Sequence, residues 1–432
     1  MKDKHISLRL IVMNFLEYAI WGAYLTSMGS FLAKSGFGAQ IWLFFATQGF
    51  VSIFMPAIMG IVADKWIPAQ KVLSLCQGIA GVSMIAAGLY AMSAGAAMQF
   101  GVFYALYTIN VAFFMPTIAI SNSVAYNALE VCGKDPVKDF PPIRVFGTVG
   151  FICCMLFVNF MRNGEGIQYQ HTYNQFLTSG VLSLVLCAFA LTLPNCPCKP
   201  KDAAKQSFAE ATGLSAFKLF RQGQFAIFFI FSMLLGASLQ ITNGYANTFI
   251  TSFTEQPEFA DAWGARNANA LISLSQMSET LCILLIPFFM KKFGIKKVML
   301  IAMFAWVFRF GFFGLGNPGS GVWLFVLSCI VYGVAFDFFN ISGSLYVNEN
   351  TSKEMRSSAQ GLFMLMTNGL GASIGTYAAG KVVNALVYNP QAAGEAADWA
   401  AAWYVFAAYA LVVAILFMIL FKDPSKVKNS RA

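Results

Sequence analysis

The chain has 432 residues, 58% of them hydrophobic and only 11% charged. Globular chains carry roughly 25% charged residues, and here the apolar stretches recur along the whole length, which excludes a soluble domain with a single anchor. The net charge of +9 does not point to nucleic acid, because the basic residues sort to one side of a membrane topology.

Twelve spans are predicted, at approximately 8–33, 40–63, 72–94, 98–127, 143–161, 176–194, 225–252, 267–290, 296–315, 321–347, 357–385 and 400–421. The first is too long for a signal-peptide core and lacks a small-residue cleavage site, so it is read as a retained helix. Of the 28 Lys and Arg, only Lys34, Arg162 and Arg266 fall on the outer side, while Arg309 and Lys381 lie within spans. That asymmetry predicts a multi-pass protein of the inner (cytoplasmic) membrane with both termini in the cytoplasm. The longest connection, 195–224, is basic, with an amphipathic piece around Leu214 to Phe220 suited to the membrane surface. It divides the chain into a first bundle at 1–194, a cytoplasmic linker at 195–224 and a second bundle at 225–432. The fold expected is therefore all-α: twelve transmembrane helices in two pseudo-symmetric six-helix bundles, with a site between them at the membrane midplane.

Along the chain, the first span carries Glu17 in "NFLEYAIWGAYL", beside Tyr18 and Trp21. A charge at the bilayer centre costs about 2.5–3.5 kcal/mol on insertion scales. Such an acid survives by carrying a proton, touching a ligand or pairing internally, and all three readings fit Glu17. In the second span Gln48 precedes Pro56 by the same interval as Glu279 precedes Pro287 in the eighth, a faint echo between the halves. Gly60, Asp64 and Lys65 then follow as a G-x-x-x-D-[RK] pattern. It resembles the loop signature of the major facilitator superfamily, with its later part degenerate at Trp66, Ile67 and Pro68.

The fifth span opens "DFPPIRVFGTVGF", where Pro141 and Pro142 are expected to start the helix. Arg144, Thr148 and Phe151 share one face, although Arg144 could simply mark the cytoplasmic end. In the seventh span Gln240, Asn243 and Asn247 form a stripe of amides. Amides donate and accept, which suits a base edge or sugar hydroxyls, and they also suit helix adhesion. In the eighth, Gln276 and Glu279 lie one turn apart, and an ionised Glu can accept from two vicinal hydroxyls. Arg309 in the ninth is read as structural. In the tenth, Tyr332, Phe336 and Asn340 are spaced four apart with Asp337 beside them, so Asp337 is either a proton carrier or half of a fixed ion pair. Asn110 and Asn368 are weaker candidates.

Several chemistries lack a signature. There is no Walker A sequence, no H-E-x-x-H and no G-x-S-x-G, so an enzyme is not expected. Both histidines, His5 and His171, fall outside the spans and leave proton handling to carboxylates. None of the nine cysteines falls in a predicted outer loop, so a disulfide framework is not expected. Cys196 and Cys198, without a nearby histidine, are read as free thiols rather than metal ligands.

The segments "FMPAIMGIVADKW", "DFPPIRVFGTVGF", "AIFFIFSMLLGASLQITN", "SQMSETLCILLIPFF", "VYGVAFDFFNISGS" and "SSAQGLFMLMTNG" resemble the nucleoside:H⁺ symporter family of the major facilitator superfamily. The resemblance runs over nearly the whole chain. It implies uptake of purine and pyrimidine nucleosides with a proton by alternating access, without a cofactor or metal and by a monomer in the bilayer. The substrate pocket it implies uses Arg144, Thr148, Phe151, Gln240, Asn243, Gln276, Glu279, Tyr332 and Phe336. Proton coupling falls to Asp337, with Glu17 and Arg144 as further members. Glu17 departs from the amide that the family pattern places there. A sugar or oligosaccharide symporter and a non-transporting nutrient sensor are the alternatives that the polar residues leave open.

Overall fold

The computed structural model describes residues 5–198, 214–352, 355–389 and 398–422. Among these residues the structure is helical, and its β content is one isolated bridge between Arg162 and Gln168. The longer helices are α1 (Ile6–Gly22), α2 (Ile41–Lys65), α3 (Ala69–Ala94), α4 (Phe100–Val131), α5 (Pro136–Phe160), α6 (Asn174–Ala190), α7 (Gly223–Ser252), α8 (Ala268–Leu315), α9 (Val322–Asn350), α10 (Arg356–Met364), α11 (Ala372–Val383) and α12 (Trp399–Leu420). Among the described residues, eight helical stretches are long and apolar enough to cross a membrane.

The predicted spans map onto these helices with local differences. The first is interrupted by a turn over 23–27 before the short helix Met28–Leu32. The eighth and ninth are two helices that meet at Gly294, whose φ of 74° and ψ of 170° are not helical. Glycine tolerates that conformation, so the turn between them is tight, and α8 denotes the pair. The eleventh loosens into π-helical turns at Leu365–Gly371, between α10 and α11. Helix α5 begins at Pro136, a turn earlier than expected, so Pro141 and Pro142 lie inside it. Both prolines are exposed, where water can satisfy the carbonyls that lack an N–H partner. The amphipathic piece of the linker is a short 3₁₀ helix, Leu214–Arg221. The rest of the linker, 199–213, lies outside the described residues.

The chain divides into two compact units. The first comprises Met1–Phe37 and Phe50–Phe208. Its interior holds an aromatic cluster in which Phe31 and Phe103 each pack on Phe176, at 5.0 and 5.2 Å between ring centres. Ser27 donates to Gln175 (2.9 Å) and Ser179 to the Ile20 carbonyl (2.9 Å), which ties α1 to α6.

The second unit comprises Gly38–Gly49 and Ala209–Ala432. Its core centres on Phe249, Phe313, Phe325 and Trp403, with Phe313 and Trp403 rings 4.9 Å apart. The segment Gly38–Gly49 belongs here through Trp42 edge-on to Tyr377 (5.1 Å) and Asn384 donating to the Ala39 carbonyl (2.9 Å). Helices α8 and α9 are cross-linked reciprocally. Arg309 Nη1 donates to the Ser328 carbonyl at 2.7 Å, and Ser328 Oγ donates to the Arg309 carbonyl at 2.9 Å.

Candidate functional site

In the first unit, α1 and α5 approach closely because residue 150 is glycine. A Cβ there would run into the Phe15 carbonyl. The approach seats the Arg144 guanidinium over the Tyr18 ring, 4.0 Å from its centre, a cation–π contact. Two turns along α5, buried Phe151 meets Trp21 edge-on at 6.3 Å. Thr148 is half-buried between them. The face predicted from spacing is thus a real one, and Arg144 is held by an aromatic ring rather than left at a helix end.

Glu17 sits on the same helix as Tyr18 and Trp21 but is completely buried. Gln77 Nε2 on α3 donates to its Oε2 at 2.9 Å. Thr117 on α4 lies 2.5 Å from its Oε1. Ser183 on α6 contacts Gln77 Oε1 at 2.5 Å. Four helices therefore converge on one carboxyl through neutral partners. Among the described residues Glu17 makes no ion pair, although Arg144 acts on it electrostatically at longer range.

In the second unit the decisive contact is between α8 and α9. A Cβ on Gly333 would lie 2.6 Å from the Ser278 carbonyl oxygen, so only glycine lets the helices touch there. The neighbours of that contact are Glu279 and, one turn on, Asp337. Their carboxyls are close enough for the charges to act on each other. Tyr332 stacks on Phe336, 5.9 Å between centres and 9° from parallel. Gln276 lies near enough to Tyr332 to act on its hydroxyl. Buried Asp337 leaves Oδ2 without a partner, and buried Gln240 on α7 leaves Oε1 without one. An orphaned buried acceptor costs about 1–3 kcal/mol.

Comparison with known proteins places the chain. The model of the family described as nucleoside H⁺ symporter matches residues 4–426. The chain belongs to that family. It is similar to the xanthosine permease of Escherichia coli strain K12, 45% identical over 430 residues that cover 98% of each protein. It is likewise similar to the nucleoside permease NupG of the same organism, 43% identical over 421 residues, 97% of this chain and 96% of NupG. The crystal structure of the nucleoside transporter NupG superposes with a TM-score of 0.86 at 42% identity, covering 96% of this chain and 99% of that one. A D-xylose–proton symporter, at 12% identity and a TM-score of 0.68, shares the fold alone. The symporter is a multi-pass membrane transporter of the major facilitator fold and not an enzyme.

The predicted residues separate by their contacts. Gln276, Glu279, Tyr332, Phe336 and Asp337 come together on α8 and α9, while half-buried Asn243 and buried Gln240 lie on α7. Asn247 does not join them. Its amide donates to Asn269 (2.9 Å) and accepts from Thr251 (3.2 Å), so it is helix adhesive. Asn110 likewise donates to the Ala80 carbonyl at 2.9 Å, and Asn368 is exposed on the π-helical turns. Arg309, fully buried, lies with its guanidinium carbon 4.5 Å from the Tyr332 ring centre. It cross-links α8 and α9 and packs against Tyr332, one of the predicted pocket residues.

Sequence reasoning missed the residues that support others. Trp306 meets Tyr332 edge-on at 6.0 Å. Gln77, Thr117 and Ser183 surround Glu17. The available signal was faint: single polar residues in apolar spans, spread over three helices with no shared motif. His171, outside the spans, is half-buried, and desolvation with Lys34 nearby pushes its imidazole down to about 3. It is neutral at physiological pH.

Proposed function

We propose that this family member imports purine and pyrimidine nucleosides together with a proton, by alternating access. The observation that carries the reading is the Tyr332–Phe336 stack with the unpartnered acceptors Gln240 Oε1 and Asp337 Oδ2 in the same unit. A nucleoside supplies what these groups lack: a planar base for the aromatic faces and N–H and O–H donors for the acceptors. Arg144, Thr148, Phe151, Gln240, Asn243, Gln276, Glu279, Tyr332 and Phe336 form the substrate-binding set. Glu279 takes the ribose hydroxyls, because a carboxylate accepts from two vicinal donors. Asp337 carries the coupled proton, with Glu17 and Arg144 as the other coupling residues.

Protonation neutralises Asp337 next to Glu279, which removes a like-charge repulsion and prepares the site for an uncharged substrate. The proton gradient is the only energy source in this scheme, with no cofactor or metal. The protein acts as a monomer in the inner membrane, both termini cytoplasmic and the basic loops inside, and binds no nucleic acid. The test is uptake of labelled uridine by cells that express the protein. Unlabelled nucleosides should compete and free sugars should not. Competition by sugars alone would move the substrate to the oligosaccharide class, and binding without flux would make the protein a sensor.

A further inference from the structure

Beside Glu17, the Thr117 hydroxyl faces two acceptors with one hydrogen unless the carboxyl supplies a second. Gln77 Nε2 carries two hydrogens and uses both, on Glu17 Oε2 at 2.9 Å and on Thr117 Oγ1 at 3.0 Å. Ser183 Oγ contacts both Gln77 Oε1 at 2.5 Å and the Gln77 backbone carbonyl at 2.8 Å, sharing its one hydrogen between them. Thr117 Oγ1 makes two further short contacts, 2.5 Å to Glu17 Oε1 and 2.6 Å to the Phe114 carbonyl oxygen. Oxygen–oxygen distances of that length need a proton between the atoms. A hydroxyl has only one to give.

If Thr117 donates to an ionised Glu17, the Phe114 carbonyl faces a bare hydroxyl oxygen. If Thr117 donates to Phe114, the contact with Glu17 is empty. A proton on Glu17 supplies the hydrogen that the Thr117 contacts lack. Glu17 Oε1–H then donates to Thr117, Thr117 donates to Phe114, and Gln77 donates to both. Turning the Gln77 amide over would set another acceptor against the carboxyl and raise the demand for protons. The surroundings agree. Glu17 is 0% exposed, and an isolated carboxylate in such a place is costly. The titratable or charged groups that act on it are Arg144 from α5, without an ion pair, and the Cys76 thiol from α3. Helices α4 and α6 present the hydroxyls of Thr117 and Ser183.

We propose that Glu17 is a second proton-binding site of this symporter, in the first unit, with the proton held on Oε1 as donor to Thr117 Oγ1. Gln77 is a positioning residue. The proton comes from the aqueous phase and returns to it. On its release Thr117 must turn its hydroxyl from its own helix carbonyl to the carboxylate. Loading and unloading thereby switch a hydrogen bond between a link within α4 and a link from α4 to α1. The role in transport rests on the symport reading above, but the protonation itself does not.

Infrared difference spectroscopy on purified protein in lipid, near neutral pH, reads the protonated carboxyl directly. The expected result is a carbonyl band of a neutral, hydrogen-bonded carboxyl that is lost in Glu17→Gln and kept in Asp337→Asn. Thr117→Val should shift that band upward in frequency, and this variant serves if Glu17→Gln does not fold. A spectrum unchanged by Glu17→Gln, or a band that Thr117→Val leaves in place, overturns the proposal. Uridine uptake by the unaltered protein in vesicles with an imposed pH gradient separates the two ideas. No response to the gradient defeats symport, while the infrared outcome judges Glu17 independently.

Discussion

The contact at Gly333 gives the sharpest mechanical prediction. A methyl group at this position would lie 2.6 Å from the Ser278 oxygen, 2.7 Å from its carbonyl carbon and 2.8 Å from Cys282 Sγ. Ordinary contact begins near 3.4 Å, so α8 and α9 must part by about 0.8 Å, from 3.4 minus 2.6, to admit alanine. Overpacking of this kind costs about 1–3 kcal/mol. The displacement falls on the helix faces that carry Glu279 and Asp337, and a misplacement near 1 Å can cost roughly 100-fold in a positioned site. Gly333→Ala should therefore lower the melting temperature in detergent and reduce uridine uptake about 10-fold or more at equal expression. Gly311→Ala is the matched control, because a Cβ there meets nothing within 4 Å. If both variants melt and transport alike, the close approach does not position the site.

Further outcomes follow from the same geometry. Asp337→Asn should retain nucleoside exchange across vesicle membranes but lose accumulation against a gradient; concentrative uptake by this variant would remove Asp337 from the coupling step. Glu279→Gln should weaken ribonucleoside binding by roughly 10- to 150-fold, the 1.5–3 kcal/mol of hydrogen bonds to a charged group, with a smaller effect on 2′-deoxynucleosides; equal affinities for purified wild type and variant would argue against ribose contact. His171 is held near 3 against about 6.5 in an unfolded chain. The unfolded state therefore binds the extra proton, and stability falls as pH drops below about 6.5. Between pH about 6.5 and 5 the loss should approach 2 kcal/mol, and melting curves of His171→Asn should lack that component.

The legible part of this protein was what its helices need locally. Apolar runs located the spans, and the shared face of Arg144, Thr148 and Phe151 survives in α5 because helical spacing fixes which residues are neighbours. The cluster of Gln276, Glu279, Tyr332, Phe336 and Asp337 was legible for a second reason: polar groups in the bilayer are conspicuous. What stayed hidden depends on contacts between helices. Nothing in the seventh span distinguishes Asn247, which binds Asn269, from Gln240, which keeps an unpartnered oxygen. Thr117 reads as an ordinary helix threonine until α4 brings it to Glu17. The start of α5 was misplaced because proline rules concern the backbone alone, and exposed carbonyls before Pro141 and Pro142 relax them.

The most direct measurement is uridine accumulation in proteoliposomes that contain the purified protein, with pH and sodium set independently on the two sides. An inward gradient of one pH unit, about 1.36 kcal/mol per coupled proton, should raise the steady-state uridine ratio about 10-fold for each proton carried, with or without sodium. A ratio that ignores pH, or that rises only when sodium is present outside, would contradict proton-coupled nucleoside import.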